Sequence, residues 1–139
     1  KRFGLKCPIF SQEQSLAPGT QALIYDRMGY LIPIMSIADI VLMGGTFDPK
    51  IGGHNLYEPA AMGKTILGGP HYNNFPDIGG ELEASGVYNR VNDSNELLEF
   101  LNNFPGRDPR PISDKALTAI LKRKGSLSCS LKQIQRFLG

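Results

Sequence analysis

The chain has 139 residues, 41% hydrophobic and 20% charged, a composition that fits one domain with a single core burying roughly two thirds of the unfolded surface. Fifteen Lys and Arg against thirteen Asp and Glu give a formal net charge of +2, with no like-charge block to track a nucleic-acid backbone, so nucleic acid is not a favoured partner. No apolar run approaches the ~20 residues of a membrane span, and Cys7 and Cys129 lack metal-ligand spacing, so the piece reads as soluble, with reduced, buried thiols and no metal site.

The chain opens at Lys1, and an apolar strand-like run follows at residues 7–10, which reads as a piece of a longer protein. Further short β-type runs come at 22–25, 40–43, 65–67 and 86–88. Between most of them, residues 30–38, 55–62, 74–84 and 94–104 have helical periodicity. Two more helices are expected at 113–124 and 128–138, after a Pro- and Gly-rich turn at 104–111. Alternating short strands and helices predict an α/β domain over 1–139, a parallel sheet covered by helices on both faces. In such sheets ligands collect outside the carboxyl ends of strands, which directs attention to the segments after Met43 and Leu67.

The first of these is the densest punctuation in the chain. Gly44 and Gly45 follow a strand, their missing side chains letting a ligand approach the backbone. After Thr46 to Lys50, a second glycine pair, Gly52 and Gly53, leads through His54 to a helix expected near Asn55. Free N–H groups at a helix start seat a phosphate or carboxylate, and Lys50 and His54 stand beside that seat with charge to add. Glu58 has two readings. With Asn55 it has the spacing of a capping box, and equally its carboxylate can accept from the two hydroxyls of a ribose whose phosphate sits at the helix start. The second loop, Gly68-Gly69-Pro70-His71-Tyr72-Asn73-Asn74-Phe75, follows the next strand and should lie on the same sheet edge. Asp26-Arg27-Met28-Gly29, after the second strand, fits an ordinary turn and N-cap as well as it fits a site.

Two families share these residues. Gly44 to Pro49 with Gly53-His54 resembles the GGTFDP…GH signature of the nicotinate and phosphopantetheine adenylyltransferases, but Ile51 replaces the first histidine and two strand candidates precede the motif. A longer resemblance spans most of residues 22–100. Asp26-x-Met28-Gly29, Ala38-Asp39, Gly44-Gly45, Gly52-Gly53-His54-Asn55-x-x-Glu58-Pro59-Ala60, Gly69-Pro70-His71-x-x-Asn74-Phe75 and Glu96-Leu97 are similar, in order and gaps, to the C-terminal half of the 3-deoxy-D-manno-octulosonic acid (Kdo) transferases. Thr46 stands where that family usually has Ser and Tyr30 where it often has Glu, and the Arg residues that often precede a Ser near Ser11 are missing.

The longer resemblance implies an inverting glycosyltransferase of the two-domain GT-B type with paired Rossmann-like halves, anchored on the cytoplasmic face of the bacterial inner membrane. The acceptor half, with the anchor and the general base that meets the lipid A precursor, would be absent here, so this piece alone would be inactive and hold no catalytic residue. The piece would bind the donor CMP-Kdo without metal or cofactor. By match, Glu58 would hold the cytidine ribose, and Gly44, Gly45, Thr46, Gly52, Gly53, His54 and Asn55 would surround the phosphate and sugar carboxylate. Met28 and Gly29 would touch the cytosine, with Ser11, Lys50, His71 and Asn74 as further candidates. An adenylyltransferase, or a binding module that is no enzyme, are the alternatives.

Overall fold

A computed structural model describes residues 4–13, 15–104 and 110–122. Chain contacts divide it into two compact units, residues 1–34 and 35–139, where the composition predicts one core. The core lies within the second unit. Leu56, Ala60, Ile66, Ile78, Leu82, Val87, Tyr88, Ala116 and Ala119 form it, with Met43, Tyr72, Phe75, Ile112 and Ile120 packed against them.

In the first unit the expected strands at 7–10 and 22–25 shrink to one parallel bridge between Ile9 and Ile24, flanked by two backbone bonds of 2.9 Å, Phe10 N to Ile24 O and Ile24 N to Pro8 O. Pro8 supplies no N–H to lengthen a ladder, and no described residue of this unit is buried, so neither apolar run has a layer packed over it to fix it as a strand. Phe10 and Tyr25 pair their rings at 4.6 Å, with the Arg27 guanidinium 5.6 Å from the Phe10 centroid. Cys7 is exposed, not buried as expected, and Cys129 lies outside the described residues.

The helix expected at 30–38 forms as α1, Leu31–Ile37, and the second unit's sheet follows. β1 (Ile40–Met43), β2 (Thr65–Gly68) and β3 (Tyr88–Arg90) are parallel in the order β1-β2-β3, with Met43 opposite Gly68 and Gly68 opposite Arg90. The central strand is buried throughout, which explains its continuous apolar run. Crossovers are made by α2 (Tyr57–Ala61) and α3 (Pro76–Ala84); α4 (Ser94–Asn102) and α5 (Arg110–Lys122) follow β3. α5 packs on α2 and α3, which in turn rest on β2 and β3. Each parallel crossover returns the chain to the same sheet edge, so the segments after β1, β2 and β3 share that edge. The helix expected at 128–138 and the turn residues 105–109 lie outside the described residues.

The candidate functional site

After β1 the chain makes one 3-10 turn, Gly44–Phe47, and after β2 it enters the 69–75 loop. Thr46 joins the two. Its side chain is fully buried; the hydroxyl donates to Met43 O and accepts from Gly69 N at 2.7 Å, while its carbonyl accepts from His71 N at 3.0 Å. Asn74 makes the second join, its amide donating to Ile51 O at 2.7 Å and to Gly53 O at 3.0 Å, and its backbone N–H to Gly52 O at 3.1 Å. The two glycine-bearing segments that the sequence points to are thus one stitched structure.

The glycines act by shape. Gly52 and Gly53 take φ of +66° and +85°, left-handed values that side chains rarely adopt, and Gly53 is so close to the other loop that an added Cβ would meet His71 O at 3.3 Å. Gly45 carries the His54 ring and Ile51 directly on its backbone: an added Cβ would lie 2.9 Å from each. Asp48 shapes the turn between, with its side chain accepting from Lys50 N at 2.8 Å and its carbonyl from Ile51 N and Gly52 N.

The helix after Gly53 starts later and is shorter than expected. α2 begins at Tyr57 and has five residues, too few aligned peptides for a strong macrodipole. What the entrance offers is N–H donors: the backbone N–H groups of His54 and Asn55 have no acceptor among the described residues. The capping box does not form either. The N-cap is Leu56, without a side-chain bond; Asn55 Oδ1 instead accepts from Tyr57 N at 3.0 Å, and its amide donates to Glu58 Oε1 at 3.1 Å. A working cap at α4 shows the contrast, where Asp93 accepts from Asn95 N and Glu96 N and Glu96 accepts from Asn92 N at 2.7 Å. Glu58 is half-buried and held by its side chain alone, which leaves its other carboxylate oxygen without a donor among the described residues.

Of the residues singled out from sequence, the structure brings Gly44, Gly45, Thr46, Gly52, Gly53, His54, Asn55, Glu58, His71 and Asn74 into this stretch of the second unit. His54 and Lys50 are exposed; Gly52, Gly53 and Thr46 are buried, and the hydroxyl of Thr46 is committed inward. Met28, 95% exposed, Gly29 and Ser11 belong to the first unit, where the Ser11 hydroxyl bonds the Asp26 carboxylate and holds it below the ordinary carboxylate range.

Sequence reasoning passed over four groups at this edge. Tyr88 opens β3 with its hydroxyl donating to Gly69 O at 2.6 Å. Arg90 ends β3 and binds Glu83 through both Nε and Nη2 at 2.9 Å, and the Tyr72 hydroxyl donates to the same carboxylate. Burial works to raise the Glu83 carboxyl, but the Arg90 and Tyr72 hydrogen bonds outweigh it and hold it below the ordinary value. The Glu83 bond, then burial, push Tyr72 up, and burial pushes Tyr88 up. The signal that finds Tyr88 is general: a tyrosine in a buried strand must partner its hydroxyl. Concavities of about 400 Å³ between α3 and α5 and about 310 Å³ near Gly63 and Ser113 lie apart from these loops.

No family model matches the chain. Relatives do. The chain is 37% identical over 104 residues to the 3-deoxy-D-manno-octulosonic acid transferase of Chlamydia muridarum, which covers 75% of this chain and 24% of that protein. To the transferase of the same name from Haemophilus influenzae it is 32% identical over 125 residues, 86% of this chain and 28% of that one. To that of Aquifex aeolicus it is 28% identical over 137 residues, 98% of this chain and 35% of that one. The chain therefore spans about a quarter to a third of these relatives' length. In fold it is similar to the crystal structure of the C-terminal CMP-Kdo binding domain of WaaA from Acinetobacter baumannii, with a TM-score of 0.74 and 23% identity over 86% of this chain and 63% of that one. The chain is a relative of the Kdo transferases with the α/β fold of their C-terminal half, and these relatives do not favour the adenylyltransferase reading.

Proposed function

We propose that this chain forms the donor-binding half of an inverting glycosyltransferase that moves Kdo from CMP-Kdo to a lipid A precursor. The observation that carries the proposal is the stitched pair of loops at the carboxyl edge of a parallel sheet, in a chain whose relatives along nearly all its length are Kdo transferases. The loops supply backbone N–H donors at His54 and Asn55, the exposed His54 side chain beside them, and a half-buried carboxylate four residues on at Glu58. That set suits a nucleoside monophosphate: N–H groups and a histidine for the phosphate, and a carboxylate for ribose hydroxyls.

The reaction would be a direct displacement. An acceptor hydroxyl forms a bond to the anomeric carbon of Kdo as the bond from that carbon to the phosphate oxygen breaks, and CMP carries away the electron pair. The acceptor's proton goes to a general base in the other half of the enzyme. Charge growing on the leaving phosphate meets donors already fixed in place, and preorganised donors of this kind are a major source of rate. The reading calls for no resident metal or cofactor. Membrane association would belong to the rest of the protein; no helix among the described residues is long and apolar enough to cross a membrane.

Titration of the isotope-labelled chain with CMP, CDP, UMP and ATP, followed by NMR, tests the assignment. CMP is expected to bind best and to shift resonances of residues 44–58 and 69–75. A preference for ATP would hand the loop to adenylyl transfer, and binding of none would leave an interaction module. Incubated with CMP-Kdo and a lipid A precursor, the chain alone is expected to give no product.

A further inference from the structure

Resting on the donor-site reading above, we propose that Tyr88 and Thr46 are positioning residues: without touching the donor, they fix the 69–75 loop against the 44–55 loop and so set the donor-facing groups of both. The peptide unit of Gly69 is held from two sides. Its N–H donates to Thr46 Oγ1 at 2.7 Å, and its carbonyl accepts from the Tyr88 hydroxyl at 2.6 Å. Both side chains are buried, Thr46 fully and Tyr88 with 1% exposed, so neither hydroxyl is open to a ligand.

The contact is backbone on backbone. A Cβ built on Gly69 would lie 2.5 Å from Thr46 O and 2.9 Å from Phe47 Cα, and one on Gly68 would lie 2.6 Å from Thr46 Oγ1. Two residues further on, Thr46 O takes the N–H of His71. Tyr72 then anchors the outgoing side, with its ring edge-on to Tyr88 at 5.4 Å and its hydroxyl on Glu83, itself held by Arg90. His71 is thus fixed between two anchored neighbours. Neither hydroxyl is needed for strand pairing, which uses main-chain groups alone. Both hold one loop peptide, Thr46 while also donating to Met43 O, and a buried polar group left without its partner would force that loop to move.

The test uses the 139-residue chain with Thr46→Val, Thr46→Ser and Tyr88→Phe. Valine keeps the branched shape and loses the hydroxyl, serine keeps the hydroxyl, and phenylalanine keeps the ring. CMP affinity is read by NMR titration, with the Gly69 and His71 amide shifts recorded in the free protein. Thr46→Val and Tyr88→Phe are expected to stay folded, to move those two amides, and to bind CMP on the order of three- to thirtyfold more weakly. Thr46→Ser should restore both the shifts and the affinity. Unchanged affinity in the valine and phenylalanine variants would overturn the positioning role and leave the donor site standing. So would outright unfolding of both variants, since the hydroxyls would then hold the fold. If the wild-type chain binds no CMP, the donor-site reading fails, and this inference with it.

Discussion

Glu58→Gln separates a ligand carboxylate from a structural one. In the structure Glu58 accepts one hydrogen bond, from the Asn55 amide at 3.1 Å, and caps no helix N–H. Glutamine keeps an acceptor oxygen for that bond, so the loss to folding is one charge-assisted bond turned neutral at a half-buried site, about 1 kcal/mol. A ribose makes a larger demand. Two hydroxyls donating to one carboxylate would lose a charged acceptor and one of its two oxygens, a loss of about 1.5–3 kcal/mol for hydrogen bonds to a charged group. At 1.4 kcal/mol per decade that is roughly ten- to 150-fold in CMP affinity. The expected outcome is a melting curve within a few degrees of wild type and a CMP titration displaced by at least tenfold. Equal affinity for CMP would refute the ribose role. A lowered melting temperature with affinity untouched would make Glu58 a local brace for Asn55.

Three further outcomes follow from the geometry. Gly45→Ala puts a methyl 2.9 Å from the His54 ring and Ile51 Cγ2, both movable side-chain atoms, so it should displace His54 and weaken CMP binding while the circular dichroism spectrum stays that of the wild type. Asn74→Ala removes two side-chain bonds to Ile51 O and Gly53 O, and should destabilise the chain by about 1–3 kcal/mol in urea unfolding, with faster amide exchange across the 51–53 segment. Stability should also fall toward both pH extremes. The Glu83 carboxyl is depressed in the fold, so its contribution is present above the ordinary value near 4.5 and fades as pH drops through the folded value; the raised Tyr72 contributes below the ordinary value near 10 and fades as pH climbs through its folded value. Melting temperatures of wild type and Glu83→Gln across pH should converge at the acid end, and a constant gap would count against the cluster.

Local pattern carried much of the fold. Residues 65–67 are a continuous apolar run because the central strand is buried throughout, whereas 40–43 is as apolar yet leaves Leu42 half-exposed; both form strands. The run at 86–88 slid to Tyr88–Arg90, since register is set by pairing Ile66 with Tyr88, a non-local choice that composition does not contain. Runs 7–10 and 22–25 are also apolar, save for Pro8, and make one bridge, because a strand also needs a partner face. At the site, the glycine pairs were legible because their demands are local. From sequence Thr46 looks like a ligand contact, because nothing in its neighbourhood announces that its hydroxyl serves Gly69, 23 residues away. The capping box at Asn55 and Glu58 has the right spacing yet fails for a similar reason: Asn55 is claimed by Tyr57 N, one residue too early, and the helix starts after Leu56.

The hexapeptide Gly44-Gly45-Thr46-Phe47-Asp48-Pro49, which resembles the adenylyltransferase signature and shares only Gly44-Gly45 with the longer resemblance, is explained by this geometry. Gly45 makes room for His54, Thr46 is turned inward onto Met43 and Gly69, and Asp48 bonds only the turn it begins. Its two polar side chains therefore specify a shape, a tight exit from a parallel strand, and any family needing that exit can arrive at similar residues. Discrimination must come from what the shape presents. Position 51, where the adenylyltransferase signature carries its first histidine, is an isoleucine whose methyl rests on Gly45, an apolar contact with no proton to give. The blocks around Gly52 to Glu58 and Gly69 to Phe75, by contrast, are ones that Asn74 physically joins, its amide reaching the carbonyls of Ile51 and Gly53. Co-occurrence of those two blocks in sequence is thus a three-dimensional statement, since without the second loop the carbonyls of Ile51 and Gly53 would lose their Asn74 partner. That requirement is why the longer resemblance outweighs the shorter one.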